Sequence, residues 1–473
     1  MAMRCSAASG RRPALTAKGS DENDPVMQLH GRRCTVDAPG VAGDYATQLL
    51  TDLGAAVTRN RSALATPAAD AAPASAFAAL SGPADGPPVR VPLPLPALAD
   101  GVLAALQALA PEAALDDLDG DTLLSERAVL AGLRRNGAIA PGGHCRLLAA
   151  ADGHIALSLA RDDDWHLLPA WLEQDCVAPG DWAALAACVQ AYPTNRLIEQ
   201  GRLLGLALAA DQACPSTPVP WLRVHAQAPA TARPLPARRT PLVVDLSSLW
   251  AGPLCSRLLQ RLGARVIKLE SLGRPDGART GHAAFFDRLH AGKQSVALDF
   301  TTATGRAQLR ALLAEADIII EASRPRALRQ LGIDAEAIIA GPRRPTWIAL
   351  SGHGRGEPQE HWIAYGDDAG VAAGLTALLH RQCGQHLFVG DAIGDPMTGL
   401  HAALAAWASW RSGGGRLIAL SLVEVLQHLI QQAAGAQAPI AARKRGCSSV
   451  DSRIGARELG ADTAAVLAEF GLR

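Results

Sequence analysis

Two aspartates four residues apart, Asp391 and Asp395 in VGDAIGDPMTGLHAALAAW (389–407), stand just ahead of a long apolar helical pattern. A carboxylate at such a place can cap the helix by accepting a free backbone N–H of the first turn. It can also act as a nucleophile, held as an anion by the helix dipole. Pro396 suits the first helical position, which would put Asp395 at the very N-terminus. Upstream, WIAYGDDAG (362–370) carries the adjacent pair Asp367 and Asp368. Neighbouring carboxylates repel, raising one pKa towards the range of a base for an α-proton. The competing reading is that both cap the helix that follows.

These residues sit in a stretch that alternates strand and helix. PLVVDLSS (241–248), ARVIKLE (264–270), DIIIEA (317–322), PTWIALSG (345–352) and RLIALSL (416–422) are short apolar runs of the kind buried in parallel sheets. Between them, 251–263 has helical apolar spacing, starting at Pro253 and stopping at Gly263, and a later helix takes Thr304 as its N-cap. Strands separated by helices of this length predict an α/β fold, a Rossmann-like doubly wound parallel sheet, with a smaller α+β domain beside it.

Composition removes several functions. The 473 residues carry 45 Lys+Arg against 45 Asp+Glu, so no net field draws nucleic acid or an acidic membrane. No apolar run approaches the roughly 18 residues of a membrane span. Nine cysteines are scattered without C-x-x-C pairs or histidines at ligand spacing, so no metal is expected, and dispersed thiols fit the cytoplasm. The turn at 247–253 is not G-x-G-x-x-G, which argues against a nicotinamide cofactor.

The first half reads differently. Residues 1–26 have the composition of a disordered tail. AGDYATQLLTDLGAAV (42–57) aligns on AGPLCSRLLQRLGARV (251–266) at an offset of 209, with eight of sixteen positions identical. Residues 27–65 are therefore read as a truncated copy of the start of the large domain. A Pro/Ala-rich linker is expected over 66–119 and a Pro-rich one over 215–240. Between them, 120–214 reads as the small α+β domain, with a hairpin turning at Asp152–Gly153. Residues 241–434 form the large domain and 435–473 a C-terminal segment with a terminal helix.

The second half resembles the family III (CaiB/BaiF type) CoA-transferases, which include formyl-CoA and carnitine CoA-transferases and α-methylacyl-CoA racemase. The resemblance rests on VVDLSSLWAGPLCSRLLQRLGARVIKLE, AGKQSVALDF, ADIIIEASRP, IALSGHGRGEP, GDAIGDPMTGLHAALAAW and LIALSLVEVLQHL, in that order. It implies that Asp395, in the G-D-x-x-T-G-x-H block 394–401, is the catalytic nucleophile. It also implies an acyl-CoA and a small carboxylic acid as substrates, a covalent aspartyl intermediate, and no cofactor beyond coenzyme A as substrate. CoA-binding positions carried over are Leu249, Trp250, Ala251, Gly252, Pro253, Lys268, Lys293 and Arg324. Family members form interlocked dimers, so the expectation is a homodimer or, given the partial copy, an internal pseudo-dimer.

Some positions depart from the pattern. Glu321-Ala322-Ser323-Arg324-Pro325 stands where E-N-F-x-P is usual. No histidine precedes Asp367 and Asp368 as in the racemase branch. A racemase or isomerase using Asp367 or Asp368, and a non-catalytic CoA-binding paralogue, are the alternatives.

Overall fold

The computed structural model describes residues 29–60, 75–174, 177–229, 240–433 and 455–472. The expected tail at 1–26 lies outside them, as does most of 435–473. The described strands are β1 (Arg33–Val36), β2 (Ala56–Arg59), β3 (Cys145–Ala149), β4 (His154–Ser158), β5 (Ala207–Ala210), β6 (Arg223–Gln227), β7 (Leu242–Asp245), β8 (Arg265–Ser271), β9 (Gln294–Leu298), β10 (Ile318–Glu321), β11 (Thr346–Ser351) and β12 (Arg416–Ser421).

Seven of them form one sheet in the order β6-β12-β11-β10-β7-β8-β9, parallel throughout except for β6 at the edge. The six parallel strands keep the doubly wound order, with the switch point between β7 and β10. Side chains alternate between two apolar layers. Val243, Ile318 and Ile320 enter one core, while Leu242, Val244 and Ile319 enter the other. Both faces are thus covered, which is why these strands read as unbroken apolar runs. The site-bearing helix, Gly394–Arg411, lies in the first layer with nearly every residue buried.

The small unit is an antiparallel sheet, β3-β4-β5, whose β3–β4 hairpin turns at Asp152–Gly153 as the sequence predicts. Its own core gathers around Trp171 and Leu157. The partial copy also has a structural counterpart. Strand β1, the helix Gly40–Asp52 and β2 pair Arg33 with Ala56, and β7, the helix Ala251–Arg261 and β8 pair Leu242 with Arg265. The two registers differ by the same offset of 209 as the sequences.

Several local expectations are corrected. The stretch 66–119 is not simply extended. It contains the helix Leu95–Leu109, which buries Leu95, Leu98, Val102, Leu106 and others in the main core. Apolar spacing overrides the Pro/Ala composition there. Within 215–240, β6 adds an antiparallel edge to the large sheet. Thr302, not Thr304, caps the helix Ala303–Glu315 by accepting from the Gly305 N–H. The helix expected to begin at Pro253 begins at Ala251. Pro396 falls third in its helix, where the missing N–H would have had no partner in any case.

The halves of the chain are joined by buried polar contacts as well as by apolar packing. Arg257, 8% exposed, donates to both oxygens of Glu126, 3% exposed, at 2.8 and 3.0 Å. Tyr45 from the partial copy meets His401 Nε2 at 2.7 Å, deep in the core. Removing one member of a buried ion pair strands the other charge. Arg257→Ala should therefore destabilise the protein by about 3–5 kcal/mol, read as a fall in the urea midpoint. A loss below about 1 kcal/mol, the size of an exposed pair, would show that Glu126 finds another partner.

Candidate active site

The strand ends at the switch point set the frame. The turn after β7 (247–253), the loop after β10 (322–325) and the loop after β11 (352–365) all leave the carboxyl edge of the sheet, where open α/β sheets hold ligands. The last loop delivers Gly366 and the helix Gly366–Ala373 to the N-terminus of the helix Gly394–Arg411.

Asp395 is the second residue of that helix and remains partly exposed. It does not cap the helix; the preceding residue is Ile393, with no side-chain cap. The backbone N–H groups of Ala251 and Gly366 instead lie near enough to its carboxylate to favour the anion. Gly366 is required at this point, since a Cβ there would collide with Ala392 O and Asp395 Oδ2. Burial raises the Asp395 carboxyl to about 6, against the pull of Arg127 and of the two N–H groups.

Asp391, fully buried, is a partner of Arg127. The guanidinium grips it with Nε at 2.8 Å from Oδ2 and a shorter Nη2 contact to Oδ1. Trp250 covers the same guanidinium, its ring centroid 5.5 Å away. Between the two aspartates, Ala392 has a φ of 44°, uncommon for a residue with a Cβ. Its N–H donates to Asp367 Oδ1 at 2.8 Å.

Asp367 and Asp368 complete the cluster. Asp367 is partly exposed, and burial plus the nearby Asp391 push it up to about 7. Asp368 is buried and accepts from Ser158 Oγ at 2.7 Å and from the Tyr365 N–H at 3.0 Å. Burial pushes it, too, up to about 7. Asp368 thus caps its helix, as one sequence reading holds, while Asp367 faces Asp391 and Arg127.

The basic positions carried over from the resemblance divide. Lys268 and Lys293 are each 2% exposed and cannot meet a surface phosphate. Lys268 lies 3.0 Å from Asp276 Oδ2 and donates to Ser247 O. Lys293 donates to Pro253 O at 2.9 Å and Ser256 Oγ at 2.7 Å, with Asp245 at 3.6 Å. Burial, opposed by Asp245, brings Lys293 down to about 8. Both lysines brace the 247–253 turn from beneath, which the sequence could not reveal. In that turn Leu249 is exposed, with φ at 68°, and Trp250, Ala251, Gly252 and Pro253 are buried. Ser323 folds back on Glu321, its N–H at 2.8 Å.

Arg324 does reach solvent. With Arg161, Arg202, Arg274, Asp163 and His361 it lines a cleft of about 430 Å³ between the small unit and the large sheet. Arg161 is held by Asp164, and Arg202 stacks on Trp362 at 3.7 Å. Among the described residues, no carboxylate pairs with Arg274 or Arg324. Tyr365 lies between this cleft and the acids, close enough to Arg161, Arg274 and Asp368 to feel all three charges.

The sequence profile of CoA-transferase family III matches residues 241–461. An acyl-CoA transferase of Fusarium pseudograminearum is 30% identical over 207 residues, covering 40% of this chain and 45% of its own. The succinate–glutarate CoA-transferase of Agrobacterium fabrum is 27% identical over 212 residues, covering 40% and 53%. A solved CAIB/BAIF family protein from Brucella suis is 28% identical, covering 41% and 55%, with a TM-score of 0.37. The chain spans about half the length of the curated relatives it matches.

Residues 241–461 are thus similar to CoA-transferase family III.

The region similar to family III supplies Asp367, Asp368, Asp391, Asp395 and the two N–H groups. Arg127, Ser158, Arg161 and Arg202 come from outside it. Sequence reasoning missed these four because nothing local distinguishes them from surface residues.

Asp367, Asp368 and Asp395 all titrate higher in the fold than in the unfolded chain, where an aspartic carboxyl sits near ~3.9. Between those values the folded protein binds more protons, so these groups cost stability as pH rises from about 4 to about 7. Asp368→Asn removes one of them. Relative to the unaltered protein, it should gain stability over that interval, by about 1.4 kcal/mol per unit of upward shift. Urea unfolding near both ends of the interval measures this; a pH-independent difference would contradict it.

Proposed function

We propose that the chain is a CoA-transferase that moves CoA from an acyl-CoA thioester to a free carboxylic acid, with Asp395 as nucleophile. One observation carries this reading: inside the region similar to family III, a partly open carboxylate lies at a buried helix N-terminus, near the backbone N–H groups of Ala251 and Gly366. With its carboxyl raised only to about 6, Asp395 is mostly anionic at neutral pH.

Asp395 attacks the thioester carbonyl, forming a mixed anhydride and releasing the CoA thiolate. The thiolate attacks the aspartyl carbonyl, giving an aspartyl-CoA thioester and the first free acid. The acceptor carboxylate then attacks that thioester, forming a second anhydride and freeing the thiolate again. Thiolate attack on the acceptor's carbonyl gives the new acyl-CoA and restores Asp395. Each exchange divides one difficult step into easier ones, and the N–H groups of Ala251 and Gly366 stabilise charge on the aspartyl oxygens. The arginine-lined cleft suits the CoA phosphates, with Arg274 and Arg324 free to bind them.

The reading includes an internal pseudo-dimer, supported by the packing of the partial copy through Tyr45 onto His401. It includes a cytoplasmic setting, supported by the free thiols of Cys34, Cys145, Cys214, Cys255 and Cys383. No described helix is long and apolar enough to cross a membrane. A second reading, α-proton exchange, draws on Asp367, partly exposed with its carboxyl raised to about 7.

Mixing the protein with a panel of acyl-CoAs and trapping with hydroxylamine should yield a hydroxamate at Asp395 by intact and peptide mass spectrometry. Asp395→Asn should yield none, and adduct formation should increase with pH through about 6. CoA binding without any adduct would overturn the transferase, and deuterium uptake from solvent into the acyl α-position would then favour the second reading. Within the transferase reading, Arg274→Gln should raise KM for the CoA substrate by about tenfold or more, the worth of a charge-assisted hydrogen bond. The rate at saturation should stay nearly unchanged; an unaltered KM would remove the phosphates from this cleft.

A further inference from the structure

Arg127 lies on the helix Gly120–Ala131, more than a hundred residues before the region similar to family III begins. It nevertheless enters the centre of the acidic cluster. Asp391 holds it through two parallel hydrogen bonds, and Trp250 covers its face. Asp391 is fully buried and has no route to water, so the pair fixes the guanidinium in one place.

That place is surrounded by unequal charge. Asp391 approaches from the 391–393 turn, Asp367 and Asp368 from the helix Gly366–Ala373, and Asp395 from its own helix. Cys145 of β3 adds a buried thiol, held protonated chiefly by burial. The helix Ala251–Arg261 brings the backbone N–H of Ala251 near Asp395. Arg127 is the sole cation among these groups, and its charge acts on Asp367, Asp391 and Asp395 alike.

We infer that Arg127 is a positioning residue for the acyl-transfer step, one that keeps Asp395 ionised while Asp391 keeps Arg127 in place. This rests on the transferase reading given above, in which Asp395 must be an anion to attack. The first half of the chain then does more than pack against the second: it supplies the charge that the nucleophile needs.

The test follows the Asp395 carboxyl by carbon-13 NMR in protein labelled at aspartate, assigned by the signal lost in Asp395→Asn. Arg127→Gln should move the Asp395 midpoint up by about one unit or more, the usual effect of a neighbouring guanidinium, and Arg127→Lys should recover most of the shift. In adduct formation, the acid limb of the pH profile should move with the midpoint, with KM for the thioester unchanged. An unmoved midpoint in Arg127→Gln, or equal shifts in the Lys and Gln variants, would each overturn the inference. Should Arg127→Gln not fold, Arg127→Lys still decides, since an upward shift of about one unit in a variant that keeps the charge would overturn it. Failure of the unaltered protein to form any adduct would overturn the transferase reading alone, since the midpoints are read without turnover.

Discussion

Burying Asp391 is possible only because Arg127 reaches it. An isolated carboxylate with no exposure carries a desolvation cost of several kcal/mol, which a well-formed bidentate pair offsets. The geometry of the site follows from that pairing. With Asp391 pinned, the chain turns through Ala392 in the left-handed region, and the Ala392 N–H is aimed at Asp367. The Asp395 N–H closes back on Ala392 O at 2.9 Å, and the long helix begins there. The position of Asp395 is therefore set by an ion pair between residues 264 apart.

A second buried ionic group supports the other wall. Asp245, Lys293, Lys268 and Asp276 lie beneath the turn after β7, and the Leu249 N–H donates to Asp276 at 3.0 Å. This brace holds Ala251 at the helix start that faces Asp395. It also explains a division of labour among the cations. Lysines that serve as struts are sealed in the protein, and the charge available to a solvent-borne anion is left to arginines at the cleft mouth. Arginine suits that place, because its fork matches phosphate oxygens and its plane stacks on aromatic rings, as Arg202 does on Trp362.

The sheet was legible because its strands are buried on both faces. Leu242-Val243-Val244 and Ile318-Ile319-Ile320 have no polar alternation to confuse. The hairpin at Asp152–Gly153 was legible from turn chemistry alone. The charged residues were not. Lys268 and Lys293 were carried over as CoA-binding positions, and only the fold reveals Asp276 and Asp245 beneath them. The helix Leu95–Leu109 was hidden by the Pro/Ala composition around it, although Leu95, Leu98, Val102, Leu106 and Leu109 carry its period. Arg127 left no local sign, since an arginine on a short helix is ordinarily solvated. Its role depends on a contact that no spacing encodes.

The duplicated strand–helix–strand units show how one pattern serves two purposes. In the second unit, the helix Ala251–Arg261 points its N-terminus at Asp395, and its backbone takes part in the site. In the first, the helix Gly40–Asp52 packs on the helix Leu95–Leu109, and Tyr45 bonds to His401. His401 also contacts the Met397 carbonyl at 2.7 Å, and burial lowers its pKa to about 3, so it stays neutral near pH 7. One helix thus carries Asp395 in its first turn and the docking point for the first unit two turns later. Docking of the first unit and order at Asp395 are properties of the same helix, and a disturbance at Tyr45 has a direct mechanical route to Asp395.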